Sequence, residues 1–236
     1  MSSNPPSLRA LGSYWVSQGG VNLGVVGTRR THRRGYHLGR NRIFGPDGVG
    51  AADYSVQTAR DKAGLSNAAS AIDLGRLDGS LVKLYEFSAW LVEQCRADAP
   101  GTRDIREIIF SPDGRHVYGY NREAGVASRP IRGYGDRSHI THTHISFYRD
   151  SEARDKRPLF APFFAESAPK AIVAPAPRPK PVPKPAVRPA GKFHTVKAGD
   201  SLWRIAVRNL TTVGRIRALN PGVGDLIRPG QVIRVK

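Results

Sequence analysis

The chain has 236 residues, 39% of them hydrophobic, which is enough for one medium domain and a small one. Its formal net charge of +18 calls for an anionic partner such as nucleic acid, anionic lipid or cell wall. The charge is spread, with +7 before Glu166, +5 over 166–192 and +6 after, and no dense basic helix or aromatic-basic ladder argues for nucleic acid. One cysteine, Cys95, rules out an internal disulfide. Met1 to Gly20 lacks the basic start and apolar core of a secretory signal, and no apolar run is long enough to span a membrane. The expectation is a soluble, monomeric chain made without a standard export signal.

In chain order, Gly35-Tyr36-His37-Leu38-Gly39 puts a histidine between glycines, where backbone can approach closely. Ser70-Ala71-Ile72-Asp73-Leu74-Gly75 reads as a buried strand carrying a carboxylate, so Asp73 needs a cation, a metal or hydrogen-bond donors. Leu81 to Ala97 is an amphipathic helix with Leu81, Leu84, Tyr85, Ser88, Leu91, Val92 and Cys95 on one face and Trp90 beside it. Ile105 to Phe110 is a strand, Pro112-Asp113-Gly114 a turn, and His116 to Tyr120 the returning strand of a hairpin. A Gly- and Arg-rich loop, 121–137, follows.

The stretch Ser138 to Tyr148 (SHITHTHISFY) is rich in β-branched and aromatic residues and reads as a strand. Alternation puts His142, His144, Ser146 and Tyr148 on one face and Thr143, Ile145 and Phe147 toward a core. Imidazole is both a common zinc ligand and the usual general base near neutral pH. Helix and strands intermix without βαβ regularity, so residues 1–165 form an α+β domain with an antiparallel sheet. Residues 166–192, with eight prolines among Ala, Val, Lys and Arg, form an extended linker.

These residues resemble the LAS group of zinc peptidases, which includes lysostaphin-type endopeptidases, D-Ala-D-Ala peptidases and penicillin-insensitive murein endopeptidases. The similarity lies in Ser-Ala-Ile-Asp73-Leu, Gly39 after an early histidine, and His139-Ile-Thr-His142-Thr-His144, within residues 30–150. It implies a Zn2+ ion held by His37, Asp73 and His144. It also implies His142 as base, oriented by His139 or Asp136, because Thr141 stands where the D-Ala-D-Ala enzymes carry a glutamate. The 36 positions between His37 and Asp73 depart from the group's short spacing, so 41–67 must be an inserted loop, or His32 replaces His37; Asp53 is a further carboxylate candidate.

Residues 193–236 read as strand, helix, helix, strand: His194–Lys197, a helix capped at Asp200-Ser201, Val213–Leu219, and Gln231–Val235. Val-Lys-x-Gly-Asp-Ser-Leu-Trp-x-Ile-Ala, then Leu-Asn-Pro and Pro-Gly-Gln-x-Ile, resemble LysM, a peptidoglycan- and chitin-binding module. That resemblance places a glycan groove at Gly199, Asp200, Ser201 and Leu202 against Asp225, Leu226 and Ile227; Trp203, on the helix with Ile205 and Ala206, reads as core, and His194 as an exposed strand residue without a role. The combined expectation is an endolysin-like peptidoglycan hydrolase acting at the bacterial cell wall, with peptidoglycan as its partner. The alternatives are a non-catalytic wall-binding or tail protein with a structural histidine cluster, and an amidase using a similar zinc site.

Overall fold

The computed structural model describes residues 1–28, 32–167, 191–197, 200, 202–209, 211–224 and 227–236. The chain divides into two compact units, Met1–Ala168 and Pro169–Lys236. In the first unit the elements are α1 (Pro6–Ser17), β1 (Gly20–Gly24), α2 (Arg40–Ile43), α3 (Ala59–Ala63), β2 (Ala71–Leu77), α4 (Leu81–Arg96), β3 (Ile105–Phe110), β4 (Tyr118–Asn121), β5 (Ile131–Arg132), β6 (Thr143–Phe147) and α5 (Arg157–Ser167). The six strands form one antiparallel sheet in the order β1-β2-β6-β3-β4-β5.

The sheet has one apolar face, built from Ile72 and Leu74 of β2, Ile145 and Phe147 of β6, and Ile105, Ile108 and Phe110 of β3. Helices α1, α4 and α5 cover this face, and Trp15, Phe87 and Phe160 meet there with ring centroids 4.8–6.1 Å apart. Helix α4 begins where Ser80 caps it by accepting from Lys83 N; of the stripe expected from the sequence it buries Leu84, Ser88, Leu91, Val92 and Cys95, leaves Leu81 and Tyr85 half-buried, and adds Phe87 and Ala89 to the buried face. Helix α5 carries two residues, Glu166 and Ser167, of the segment read as linker.

The segment between His37 and Asp73 is a closed excursion. Arg40 N donates to Ser66 O at 2.7 Å and Ser70 N to Tyr36 O at 2.6 Å, so the chain leaves and returns beside itself. Gly39 is needed at this closure, because a Cβ there would lie 2.0 Å from the Asn67 carbonyl oxygen. Within the excursion Leu38, Ile43 and Val56 form a small core. The buried Arg149 guanidinium braces it, donating to Ser55 O, Ser55 Oγ and Leu38 O at 2.8–2.9 Å.

The second unit has β7 (Phe193–Thr195), α6 (Leu202–Arg208), α7 (Val213–Leu219) and β8 (Val232–Arg234), with β7 and β8 antiparallel. Val196, Leu202, Ile205, Ala206, Ile216, Ile233 and Val235 make its core. Asn220 ends α7 and takes the place of a strand partner: its Oδ1 accepts from Arg234 N and its Nδ2 donates to Arg234 O.

Candidate metal centre and carbohydrate module

The sheet face opposite the helices brings His37, Asp73 and His144 together. Asp73 of β2 lies directly across from His144 of β6 in the strand register. His37 enters from the loop before the excursion, and its Nδ1–H donates to Val25 O at 2.6 Å. That bond leaves His37 Nε2 as a lone pair. His144 Nε2 lies 2.7 Å from Ser146 Oγ, whose own proton goes to Glu107 Oε1, so His144 Nε2 is the donor and its Nδ1 a lone pair.

Three acceptor atoms therefore confront one another: His37 Nε2 to His144 Nδ1 at 3.0 Å, His37 Nε2 to Asp73 Oδ1 at 3.2 Å, and His144 Nδ1 to Asp73 Oδ1 at 3.0 Å. With neutral imidazoles no proton is left to sit between them. A cation resolves the repulsion, and ligands of a tetrahedral zinc stand roughly 3.3 Å apart, close to these separations. The donor set of two imidazoles and one carboxylate fits zinc and leaves a fourth position open. Without a cation, a proton held on His144 or His37 takes its place: burial would raise the Asp73 carboxyl, but contacts with the protonated rings hold it far below the usual carboxylate range. His144 is pulled the other way: burial would lower it, and Asp73 raises it above its ordinary value.

His32 also stands at the cluster. Its ring centroid is 4.4 Å from that of His37, and His32, His37 and Asp73 each offer a ligand atom within 4.8 Å of the others. Burial and the neighbouring His37 lower His32 to about 4. Asp53 is elsewhere: its buried carboxylate accepts from Gly35 N and Ser55 N and caps a short 3-10 turn, so it is not part of the cluster.

The histidine-rich stretch differs from the single strand expected for 138–148. Arg137–Ile140 is a 3-10 turn capped by Asp136, whose Oδ1 accepts from Ser138 N, and β6 starts only at Thr143. His142 therefore precedes the strand, and Tyr148 follows it. His142 Nδ1–H donates to Ser138 O at 3.0 Å, which leaves Nε2 free as an acceptor. His139 packs beside it, tilted by 36° with centroids 4.5 Å apart, while its own Nδ1 lies 3.2 Å from the Asp136 carbonyl oxygen. Asp136 thus faces His139 rather than His142, at 3.5 Å, and its side chain is largely exposed. Burial lowers both His139 and His142 below their ordinary values, which keeps them neutral near pH 7.

Sequence reading passed over Glu107, Ser146 as a bridge, Tyr54 and Tyr134. Glu107 is 1% exposed and accepts from Ser146 Oγ at 3.1 Å and Tyr134 Oη at 2.8 Å, with Tyr54 Oη at 3.4 Å. The signal was weaker than at Asp73: Glu107 lies in the strand Ile105–Phe110, but Arg106 beside it supplies an obvious neighbouring counter-charge.

In the second unit, Gly199, Ser201, Asp225 and Leu226 of the expected groove lie outside the described residues, as does the side chain of Trp203. The other three are placed inward. Asp200 accepts from Lys197 N and faces His194 Nε2 at 2.8 Å and Arg208 Nη1 at 3.0 Å; Leu202 is core, and Ile227 packs against it. The expectation of an idle His194 is corrected by its contact with Asp200. Burial opposes ionisation of Asp200, yet His194 and the Lys197 N–H hold its carboxyl below the ordinary range.

Residues 194–236 match the LysM domain family. The chain is also 51% identical over 47 residues, within the LysM region, to a protein named "Endolysin" of Bacillus phage PZA. That match covers 19% of this chain and 18% of the phage protein. No solved structure matches significantly. Among the described residues no helix is long and apolar enough to cross a membrane.

Proposed function

We propose that the chain is a peptidoglycan hydrolase, a zinc peptidase that cuts a stem or cross-bridge peptide while its LysM unit holds wall glycan. The convergence of His37 Nε2, Asp73 Oδ1 and His144 Nδ1 carries the reading. The LysM match of 194–236 supports bacterial wall as the target, and the net charge of +18 suits an anionic wall. A zinc ion held by the three residues would supply a Lewis acid that activates water and polarises the scissile carbonyl.

The chain's own residues supply the rest. His142 Nε2, free because Nδ1 is committed to Ser138 O, takes the proton of the attacking water and returns it to the departing amine. The neighbouring His139 ring packs against it and holds it in place. Val25 O and Ser146 Oγ fix the tautomers that present the metal-facing nitrogens.

The test is mass analysis of fragments released from purified peptidoglycan, with and without chelator. New peptide termini that vanish with chelator and return with zinc are expected. Cleavage unaffected by chelator would refute the metal reading, and release of intact stem peptides from muramic acid would make the enzyme an amidase.

A further inference from the structure

Glu107 is a buried acid beside the cluster that the hydrolytic chemistry does not use. Glu107 sits on β3 opposite Ser146 of β6, and its Oε1 is 3.9 Å from His144 Nε2. Ser146 Oγ bridges that gap, donating to Glu107 Oε1 at 3.1 Å and accepting from His144 Nε2–H at 2.7 Å. Ser146 is fully buried, so water does not compete for these bonds.

The direction of the chain follows from hydrogen-bond inventory. A carboxylate accepts and cannot donate, whereas a hydroxyl has a single proton. Glu107 draws the Ser146 proton toward itself. The Ser146 lone pair then draws the His144 proton onto Nε2. Nδ1 is left bare toward His37 and Asp73.

Glu107 reaches this face only through a β-bulge. Ile105 pairs with Phe147 and Glu107 with the adjacent Ser146, so β3 spends one extra residue at Arg106. Strict alternation would have put Glu107 on the same side as Ile105, in the apolar core. Tyr54, at the start of a 3-10 turn, and Tyr134, in the segment after β5, both aim their hydroxyls at the same carboxylate. Tyr134 can do so because it lies over Gly119, where a Cβ would stand 2.0 Å from its ring.

We infer that Glu107 is a positioning residue: acting through Ser146, it selects the His144 tautomer that binds metal and so sets the metal affinity of the cluster. This rests on the reading of His37, Asp73 and His144 as ligands. Outer partners of metal-bound histidines commonly contribute 10–100-fold in affinity.

The test uses the full chain as wild type, Glu107→Gln, Glu107→Asp and Ser146→Ala. Zinc affinity is measured by competition with a chromophoric chelator, and the visible spectrum of the Co2+-loaded protein reports coordination. Gln keeps the shape but carries donors, so it can turn the Ser146 proton toward His144 and shift the imidazole proton onto Nδ1. Glu107→Gln should bind zinc about 10–100-fold more weakly with altered cobalt bands, and Ser146→Ala about tenfold more weakly. Glu107→Asp, which keeps an acceptor, should recover part of the loss.

Circular dichroism checks the fold. Should Glu107→Gln fail to fold, Ser146→Ala, which removes one oxygen atom, decides alone. Wild-type affinity and cobalt spectrum in the folded variants would overturn the inference, as would a lower unfolding temperature with unchanged coordination. A wild-type chain that takes up no zinc would overturn the ligand reading itself, and the inference with it.

Discussion

Asp73 is the one formal anion among the three atoms that converge at the cluster, and both imidazoles lean on it. Removing a ligand and removing the base should therefore have separable effects. His144→Ala should lose both zinc and wall hydrolysis. His142→Ala should keep about one zinc per chain by elemental analysis and lose roughly 10²–10⁴-fold in rate. Near-normal hydrolysis by His142→Ala would move the base to His139, the neighbouring ring.

A second residue-scale prediction concerns Asp104, away from the cluster. Burial would raise its carboxyl, but Arg154, Lys156 and Arg60 gather around it and hold it below the usual range. Lys156 is itself buried and lowered by that burial to about 8. A depressed folded-state value adds stability above the unfolded carboxyl value near pH 3.9, and this is lost as pH falls through the folded value. Asp104→Asn should be less stable at pH 7 by on the order of 1–2 kcal/mol and show a smaller further loss below pH 4. Denaturant titrations at pH 7 and pH 3 give the comparison; equal pH dependence in both proteins would rule out Asp104 as the acid-sensitive group.

Among the elements, α4 was legible because a 3–4 apolar spacing runs through it and Ser80 caps it; the expected Leu81–Ala97 differs from Leu81–Arg96 by one residue. Helix α1 was passed over although it has the same kind of signal, with Leu8, Leu11 and Trp15 buried and a proline at its start. Pro162 inside α5 masks the pattern there. These helices share one aromatic cluster, and Phe87 of α4 touches rings from both of the others. Phe87→Ala should cost about 3–5 kcal/mol, because a ring-sized cavity opens between three helices and the sheet. A loss below about 1 kcal/mol in urea unfolding would mean that α1 and α5 collapse to fill it.

For the whole molecule, the proposed function implies a division of labour between the two compact units, with hydrolysis in Met1–Ala168 and wall attachment in the LysM residues 194–236. Deleting 193–236 should weaken binding to intact sacculi and slow their lysis, since tethering raises local concentration without altering the site. Turnover of a small soluble wall peptide should stay nearly unchanged. Added salt should weaken wall binding of the full chain further, because exposed charges are screened beyond about 10 Å at 0.1 M. Loss of small-peptide turnover on truncation would mean that the units share a site.

Sequence alone determined what local pattern can carry. The C-terminal βααβ order, α4, β3 and an acid set in an apolar strand at Asp73 all follow from spacing and residue type within a dozen positions. Pairings across long separations needed the tertiary structure. The excursion closed by the Arg40–Ser66 bond puts His37 beside Asp73 across 36 positions, which no periodicity reports. The bulge at Arg106 turns Glu107 to the side of Asp73 and His144 against the alternation of its own strand. The 3-10 turn at 137–140 takes His142 out of the strand and aims its Nδ1 at a backbone carbonyl. Each is a departure from regular repeat, stabilised by contacts to distant segments, so the face a side chain occupies there is decided by the fold around it.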